Sequence, residues 1–159
     1  MTRWLLTIFF TIITSIGLFA QQNNLEVQGS GTNLYLEHTI SPKESFYSVG
    51  RMYNVAPKEL AAYNKVSLET GLSVGQNLKI PLDKSNFTQS ETKSVLDFLI
   101  PVYHQVQSGE SLYRLGVNYN KVPLELLKKW NSLNSDAVNV GSSMIVGYLK
   151  VDKNQSSLA

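Results

Sequence analysis

One passage of this chain is written twice. HTISPKESFYSVGRMYNV, from His38, returns as HQVQSGESLYRLGVNYNKV, from His104. His38 matches His104, Glu44 matches Glu110 and Ser45 matches Ser111; Tyr47, Gly50 and Tyr53 match Tyr113, Gly116 and Tyr119, all at one constant spacing. After a one-residue slip, KELAAYN from Lys58 answers LELLKKWN from Leu124, so Leu60 meets Leu127 and Asn64 meets Asn131. Val74-Gly75 against Val140-Gly141 closes the echo. An internal repeat outranks other sequence signals because it sets the unit of folding. Two copies of one small module are expected, and the function should belong to the module.

Each copy reads as strand, helix, helix, strand. Tyr103 to Gln107 is short and rich in β formers, which predicts a strand, and Ser108-Gly109 turns the chain. Leu112, Leu115, Gly116 and Tyr119 then fall on one helical face, as do Phe46, Val49, Gly50 and Tyr53 in the first copy. Ser45 and Ser111 stand just ahead of these faces, where a hydroxyl caps a helix start. Pro57 and Pro123 suit the first turn of a second helix. Leu60 with Tyr63, and Leu127 with Trp130, supply its apolar side. Asn64 and Asn131 are residues that can take the left-handed conformation ending it. Gln76–Pro81 and Ser143–Leu149 read as closing strands.

The fold class is therefore α+β: two small βααβ modules in tandem, each a two-stranded antiparallel sheet with two helices on one face. A unit of under about 50 residues has a marginal core, so Tyr53, Tyr63, Tyr119 and Trp130 are expected to serve that core. Gly50 and Gly116 lie inside a helix, where Gly costs about 1 kcal/mol relative to Ala; the same choice in both copies suggests close packing. The expected division is 1–20 signal peptide or N-terminal anchor, 21–34 N-terminal segment, 35–82 repeat 1, 83–102 linker, 103–150 repeat 2 and 151–159 flexible tail. Within the linker, DKSNFTQSETKS is polar, whereas VLDFLIPV is apolar and should pack onto a repeat or extend the first strand of repeat 2. Pro101 is expected to bar a central strand position. Gly29-Ser30-Gly31 precedes no helix and reads as a turn.

The N-terminus bears on the compartment. Arg3, an apolar run from Trp4 to Phe19, Ala20 and a polar exit at Gln21 describe an export signal; an uncleaved membrane anchor is the other reading. Location in the periplasm, at the cell surface or outside the cell is expected. Cysteine is absent, which excludes disulfides and thiol catalysis. The formal net charge of +2 is too small, and the basic residues too scattered, for a nucleic-acid partner. Lys128-Lys129 reads as a solvated helix face. No His/Cys cluster has metal-site spacing, and neither metal nor cofactor is expected.

Catalysis finds no support in these residues. His38 and His104, the only histidines, are equivalent by repeat. A Ser-His pair such as Ser111 with His104 lacks an evident orienting acid. Glu44 and Glu110 belong to separate modules and do not read as a glycosidase pair. The expectation is a protein that is not an enzyme.

The ordered series resembles the LysM domain, a βααβ module of exported bacterial wall proteins that binds glycans containing N-acetylglucosamine. The matching residues include His104–Val106, Ser108–Tyr113, Asn118-Tyr119, Leu127, Trp130-Asn131 and Val140-Gly141. In repeat 1 they are His38–Ile40, Glu44–Tyr47, Tyr53-Asn54, Leu60, Asn64, Val74-Gly75 and Leu78–Pro81. The resemblance covers 35–82 and 103–150. It implies a shallow glycan groove between two loop walls in each module. Carried onto this chain, the first wall is Lys43, Glu44, Ser45 and Phe46, or Gly109, Glu110, Ser111 and Leu112. The second lies within Ser67–Leu72, with Leu68, Glu69, Thr70 and Gly71, or is Asn134, Ser135, Asp136, Ala137 and Val138. A neutral N-acetyl sugar needs hydrogen bonds and a small apolar spot rather than charge. Glu110 and Ser111 also suit a helix start on purely structural grounds.

Departures from the family pattern include Gly50 and Gly116, which stand where Ala is usual. Pro42-Lys43 replaces a Gly-containing turn in repeat 1, and an extra residue near Lys121 enters repeat 2. Gly147 stands where the family usually closes with Pro. The implied function is non-catalytic binding of peptidoglycan or a chitin-like polymer, with paired sites gaining avidity, and a cell-wall hydrolase or envelope protein as a further partner. The other reading is an envelope interaction or scaffold protein that keeps the fold without the sugar groove.

Overall fold

A computed structural model describes residues 24–90 and 97–159; the expected signal or anchor lies outside them. In chain order the elements are β1 (Leu25–Glu26), β2 (Tyr35–Thr39), α1 (Phe46–Tyr53), α2 (Pro57–Tyr63), β3 (Asn77–Pro81) and β4 (Phe87–Thr88). They continue with β5 (Asp97–Gln105), α3 (Leu112–Asn118), α4 (Leu124–Trp130) and β6 (Ser143–Asp152). Both copies follow the expected strand–helix–helix–strand order. β2 pairs antiparallel with β3, from Tyr35 opposite Pro81 to Thr39 opposite Asn77, and β5 pairs antiparallel with β6.

The helices form where the apolar periodicity puts them. Phe46, Val49, Gly50 and Tyr53 are the buried residues of α1, and Leu112, Leu115 and Gly116 those of α3. Ser45 caps α1 by accepting from the Ser48 N–H, and Ser111 caps α3 by accepting from Arg114. Pro57 opens α2, but Pro123 stands one place earlier relative to α4, at its cap. The glycines are explained by backbone: a Cβ on Gly50 would lie 2.5 Å from the Val55 carbonyl oxygen, and one on Gly116 2.8 Å from that of Val122.

Asn64 and Asn131 do not take the left-handed conformation, with φ of −87° and −105°; Lys65 and Ser132, one residue later, do. The amides act on the closing strands instead. Asn64 donates to the Lys79 carbonyl at 2.7 Å and accepts from the Lys79 N–H at 2.8 Å. Asn131 does the same with Ile145, at 2.9 and 2.7 Å. Each side chain thus imitates a strand partner and ties the second helix to the sheet.

The larger departure is between the modules. Repeat 2 does not keep a two-stranded sheet: its sheet has four strands in the order β1-β5-β6-β4. Residues expected as linker supply β4 and most of β5, so the apolar run extends the first strand of repeat 2. Pro101 lies inside β5, opposite Tyr148. The parallel pairing of β1 begins only at Val102, so no ladder bond from β1 is needed at the Pro101 nitrogen.

Phe87 covers Gly147, where a Cβ would come within 2.3 Å of its ring. That accounts for Gly in place of the family's Pro. Fully buried Asn86 donates to Tyr53 and Pro81 carbonyls of repeat 1, while Gln89 donates to Tyr119 and Val146 carbonyls of repeat 2. The tail, expected to be flexible, contributes Val151 and Asp152 to β6. Its buried Ser156 donates to the Met52 carbonyl at the end of α1. Buried residues of both modules form one hydrophobic cluster, from Val27 to Val151.

Candidate functional site

The two loops expected to form a groove diverge from one strand end in each module. In repeat 1 the Gly75 N–H donates to the Ile40 carbonyl and the Ile40 N–H to that of Gln76; in repeat 2, Gly141, Val106 and Ser142 repeat the pattern. The first wall leaves directly after Ile40 or Val106, and the second arrives directly before Val74-Gly75 or Val140-Gly141. The strand pairing therefore brings the bases of both walls together in both modules.

The first walls share one conformation despite different sequences. The Glu44 carboxylate accepts from the Ser41 N–H at 2.7 Å, and Glu110 accepts from Gln107 at 2.8 Å. Between them, Lys43 takes φ 72° where Gly109 takes φ 83°. Pro42-Lys43 therefore does not reshape the turn; Lys43 instead adopts a left-handed conformation that Gly reaches without strain. Lys43, Ser45, Gly109 and Ser111 are exposed. A Cβ at Gly109 would meet nothing within 4 Å, so the backbone there faces open space.

Two expected wall residues are corrected. Phe46 and Leu112 are buried, at 2% and 0% exposure, because they begin the core faces of α1 and α3. Glu44 and Glu110 are half-buried and already engaged. Glu44 accepts from His38 Nε2 at 2.8 Å, and Glu110 from His104 Nε2 at 2.6 Å. An ionised carboxylate can only accept, so Nε2 carries hydrogen; in the neutral ring Nδ1 then accepts from a hydroxyl. Tyr53 lies 3.1 Å from His38 Nδ1, and Tyr119 2.8 Å from His104 Nδ1. The sequence marked all six residues as matched by repeat but held no signal that they touch.

Burial pushes both carboxyls up, but the N–H of Ser41 or Gln107, together with the histidine, outweighs it and holds each below its ordinary value. Burial, reinforced by Glu44, pushes the Tyr53 hydroxyl up to about 12. Burial also raises Tyr119, with Glu110 and Glu26 adding to it. His104 thus does have an acid beside it, unlike the sequence reading. Its other nitrogen faces a buried phenol shifted away from nucleophilic use, while Ser111 is engaged as a cap. The relay holds the first wall in place.

In the second walls, Glu69, Thr70 and Gly71 are exposed and Leu68 is half-buried; Asn134, Ser135, Asp136 and Ala137 are exposed and Val138 half-buried. Leu68, Leu72 and Val138 pack against the core and root the loops. Ser67 accepts from the Glu69 N–H, and Thr70 donates to the Ser67 carbonyl. Repeat 2 adds a tie that repeat 1 lacks: Lys128 bonds Asp136 at 3.1 Å and Glu125 at 2.9 Å, so Lys128 is more than a solvated face. Val74 and Val140, both 67% exposed, stand at the foot of the second walls as exposed apolar side chains. They were visible in the sequence only as part of the repeat. Exposed Tyr47 and Tyr113 instead line apolar clefts of about 380 and 450 Å³ beside the helix–helix turns.

Residues 38–81 and 104–147 each match the sequence profile of the LysM domain, together more than half of the chain. The chain is 27% identical over 128 residues to an autolysin of Enterococcus faecalis strain ATCC 700802 / V583, an alignment covering 74% of this chain and 16% of that protein. Among solved structures, the spore cortex-lytic enzyme SleL of Bacillus cereus is 29% identical, with TM-score 0.33, over 70% of this chain and 22% of that one. SleL of Bacillus megaterium QM B1551 is 16% identical, with TM-score 0.31 and the same coverage. The chain thus spans about a sixth to a fifth of the length of these relatives.

Proposed function

The chain belongs to the LysM domain family, and on that premise we propose that it is a non-catalytic cell-wall protein that binds N-acetylglucosamine-containing glycan, peptidoglycan first, in the groove of each module. One observation carries this reading. Two first walls of different sequence, SPKE and QSGE, hold one turn, fixed by a half-buried relay and left open to solvent. A shape kept through a change of residues is expected of a surface that meets a ligand. The groove offers exposed backbone and hydroxyl groups with a valine at its foot. That combination suits a neutral amide-bearing sugar.

The likeness to part of an autolysin supports a place at the cell wall, with a wall hydrolase as partner. Export through the N-terminal segment, to the periplasm or the cell surface, fits the same role. Among the described residues no helix is long and apolar enough to cross a membrane. Co-sedimentation with insoluble peptidoglycan, and in parallel with chitin, tests the proposal. The protein is expected in the peptidoglycan pellet. A folded protein left in both supernatants would reject glycan binding in favour of an envelope scaffold.

A further inference from the structure

We infer that the two grooves sit at opposite poles of one rigid body, so that the protein bridges two separate glycan strands rather than clasping one short oligosaccharide with both modules. This rests on the glycan-binding reading for its ligand, and on strand direction for its geometry. β1 runs parallel to β5, with Leu25 opposite Val102 and Glu26 opposite Tyr103. After the turn at Gly29, the chain reverses. Gln28 and Tyr35 exchange both backbone hydrogen bonds, at 2.8 and 3.1 Å, in antiparallel fashion. Asn24 to Glu26 accordingly share a cleft with Glu37, His38, Thr39 and Ser41. β2 therefore runs opposite to β5 across the intervening β1.

Each groove opens where its module's first strand ends, after Thr39 in one and after Gln105 in the other. Opposed strands place these ends at opposed poles. Twist between neighbouring strands, about 20–25° per step, does not reverse that over two steps. The backs of the modules confirm the arrangement by meeting. Met52 and Tyr53, at the end of α1 remote from its groove, receive hydrogen bonds from Ser156 and Asn86. Asp152, which ends β6, lies opposite Asp97, the start of β5 and the end remote from the groove of repeat 2. Residues 83–89 leave repeat 1 at this junction and pair with β6 through Phe87 and Thr88. Asn86, Phe87 and Gln89 then fasten both modules at this junction.

A second contact becomes intramolecular only when one ligand can reach both sites. A short oligosaccharide cannot, so the avidity expected from a flexible linker does not arise for it. Long strands in a wall mesh can be held at both poles and thereby linked to each other.

The test uses the intact protein with the N-acetylglucosamine hexamer and with suspended chitin fibrils. Arginine is introduced at an exposed second-wall position of either groove, Thr70→Arg or Ala137→Arg. Calorimetry should give two hexamers per protein. Each single variant should keep one hexamer, with affinity at the other groove unchanged within about twofold, the independence expected of separated sites. The parent should cluster fibrils, measured by turbidity, and each single variant should coat them without clustering. One hexamer per protein would overturn the inference, as would clustering that survives in either variant that has lost its groove. If one hexamer is bound and both variants weaken it, glycan binding stands and the bridging geometry falls. If folded protein binds no hexamer and no fibril, both readings fall.

Discussion

A helical glycine and a Tyr–His–Glu relay, each repeated in both modules, set the local energetics. Gly116 faces a backbone carbonyl at 2.8 Å from where a Cβ would stand, and backbone cannot step aside as a flexible side chain can. Gly116→Leu should therefore destabilise the protein by about 1–3 kcal/mol, read from denaturant melts; a variant as stable as the parent would remove the packing explanation. The Tyr–His–Glu relay predicts a pH profile. Glu44 and Glu110 are held below their ordinary value of 4.5. Their contribution is complete above that value and is lost as pH falls through the lowered folded one. Tyr53, raised from 10.0 to about 12, acts in the other direction: its contribution is complete below 10.0 and is lost as pH climbs through about 12. Glu110→Gln should lower stability at neutral pH and flatten the acid limb of the stability curve. An acid limb identical to the parent's would show that the carboxylate is not what titrates.

At the scale of elements, periodicity and capping were legible because they depend on neighbours in sequence. The faces of α1 and α3 and the caps at Ser45 and Ser111 follow from residues a turn apart. Asn64 and Asn131 were misread because a local rule, the left-handed helix end, competes with a nonlocal use of the same amide. That use is visible only once Lys79 and Ile145 are in place. Asn131→Leu leaves the strand N–H and carbonyl at Ile145 without a partner, and about 1–3 kcal/mol should be lost. Amide exchange at Ile145 should also accelerate, and unchanged exchange there would contradict the strand-partner role. The linker was misjudged for a related reason. Its polar composition reads as a tether, yet Asn86 and Gln89 use their polarity to satisfy buried carbonyls. Composition does not say whether an amide will face water or the interior.

For the whole molecule, the repeat made the number and kind of modules legible, while their fusion into one body was not. It depends on β1, Phe87 and Ser156, none of which has a counterpart in the echo. The groove was proposed only through family resemblance, and two of the wall residues so assigned, Phe46 and Leu112, serve the core. Since both first walls share one turn, the grooves should differ only in detail. Pro42 offers no N–H where Ser108 has one, and Lys43 adds a side chain where Gly109 leaves open space. Repeat 2 should accordingly bind the more tightly, so Ala137→Arg should weaken total binding more than Thr70→Arg. Because the modules share a core, these comparisons belong on the intact chain rather than on separated repeats. The most direct measurement is calorimetry of the parent and the Thr70→Arg, Ala137→Arg double variant with the N-acetylglucosamine hexamer, alongside thermal melts showing both folded. Binding by the parent and none by the double variant is the predicted result. A double variant that binds as the parent does would place the sugar elsewhere and contradict the account.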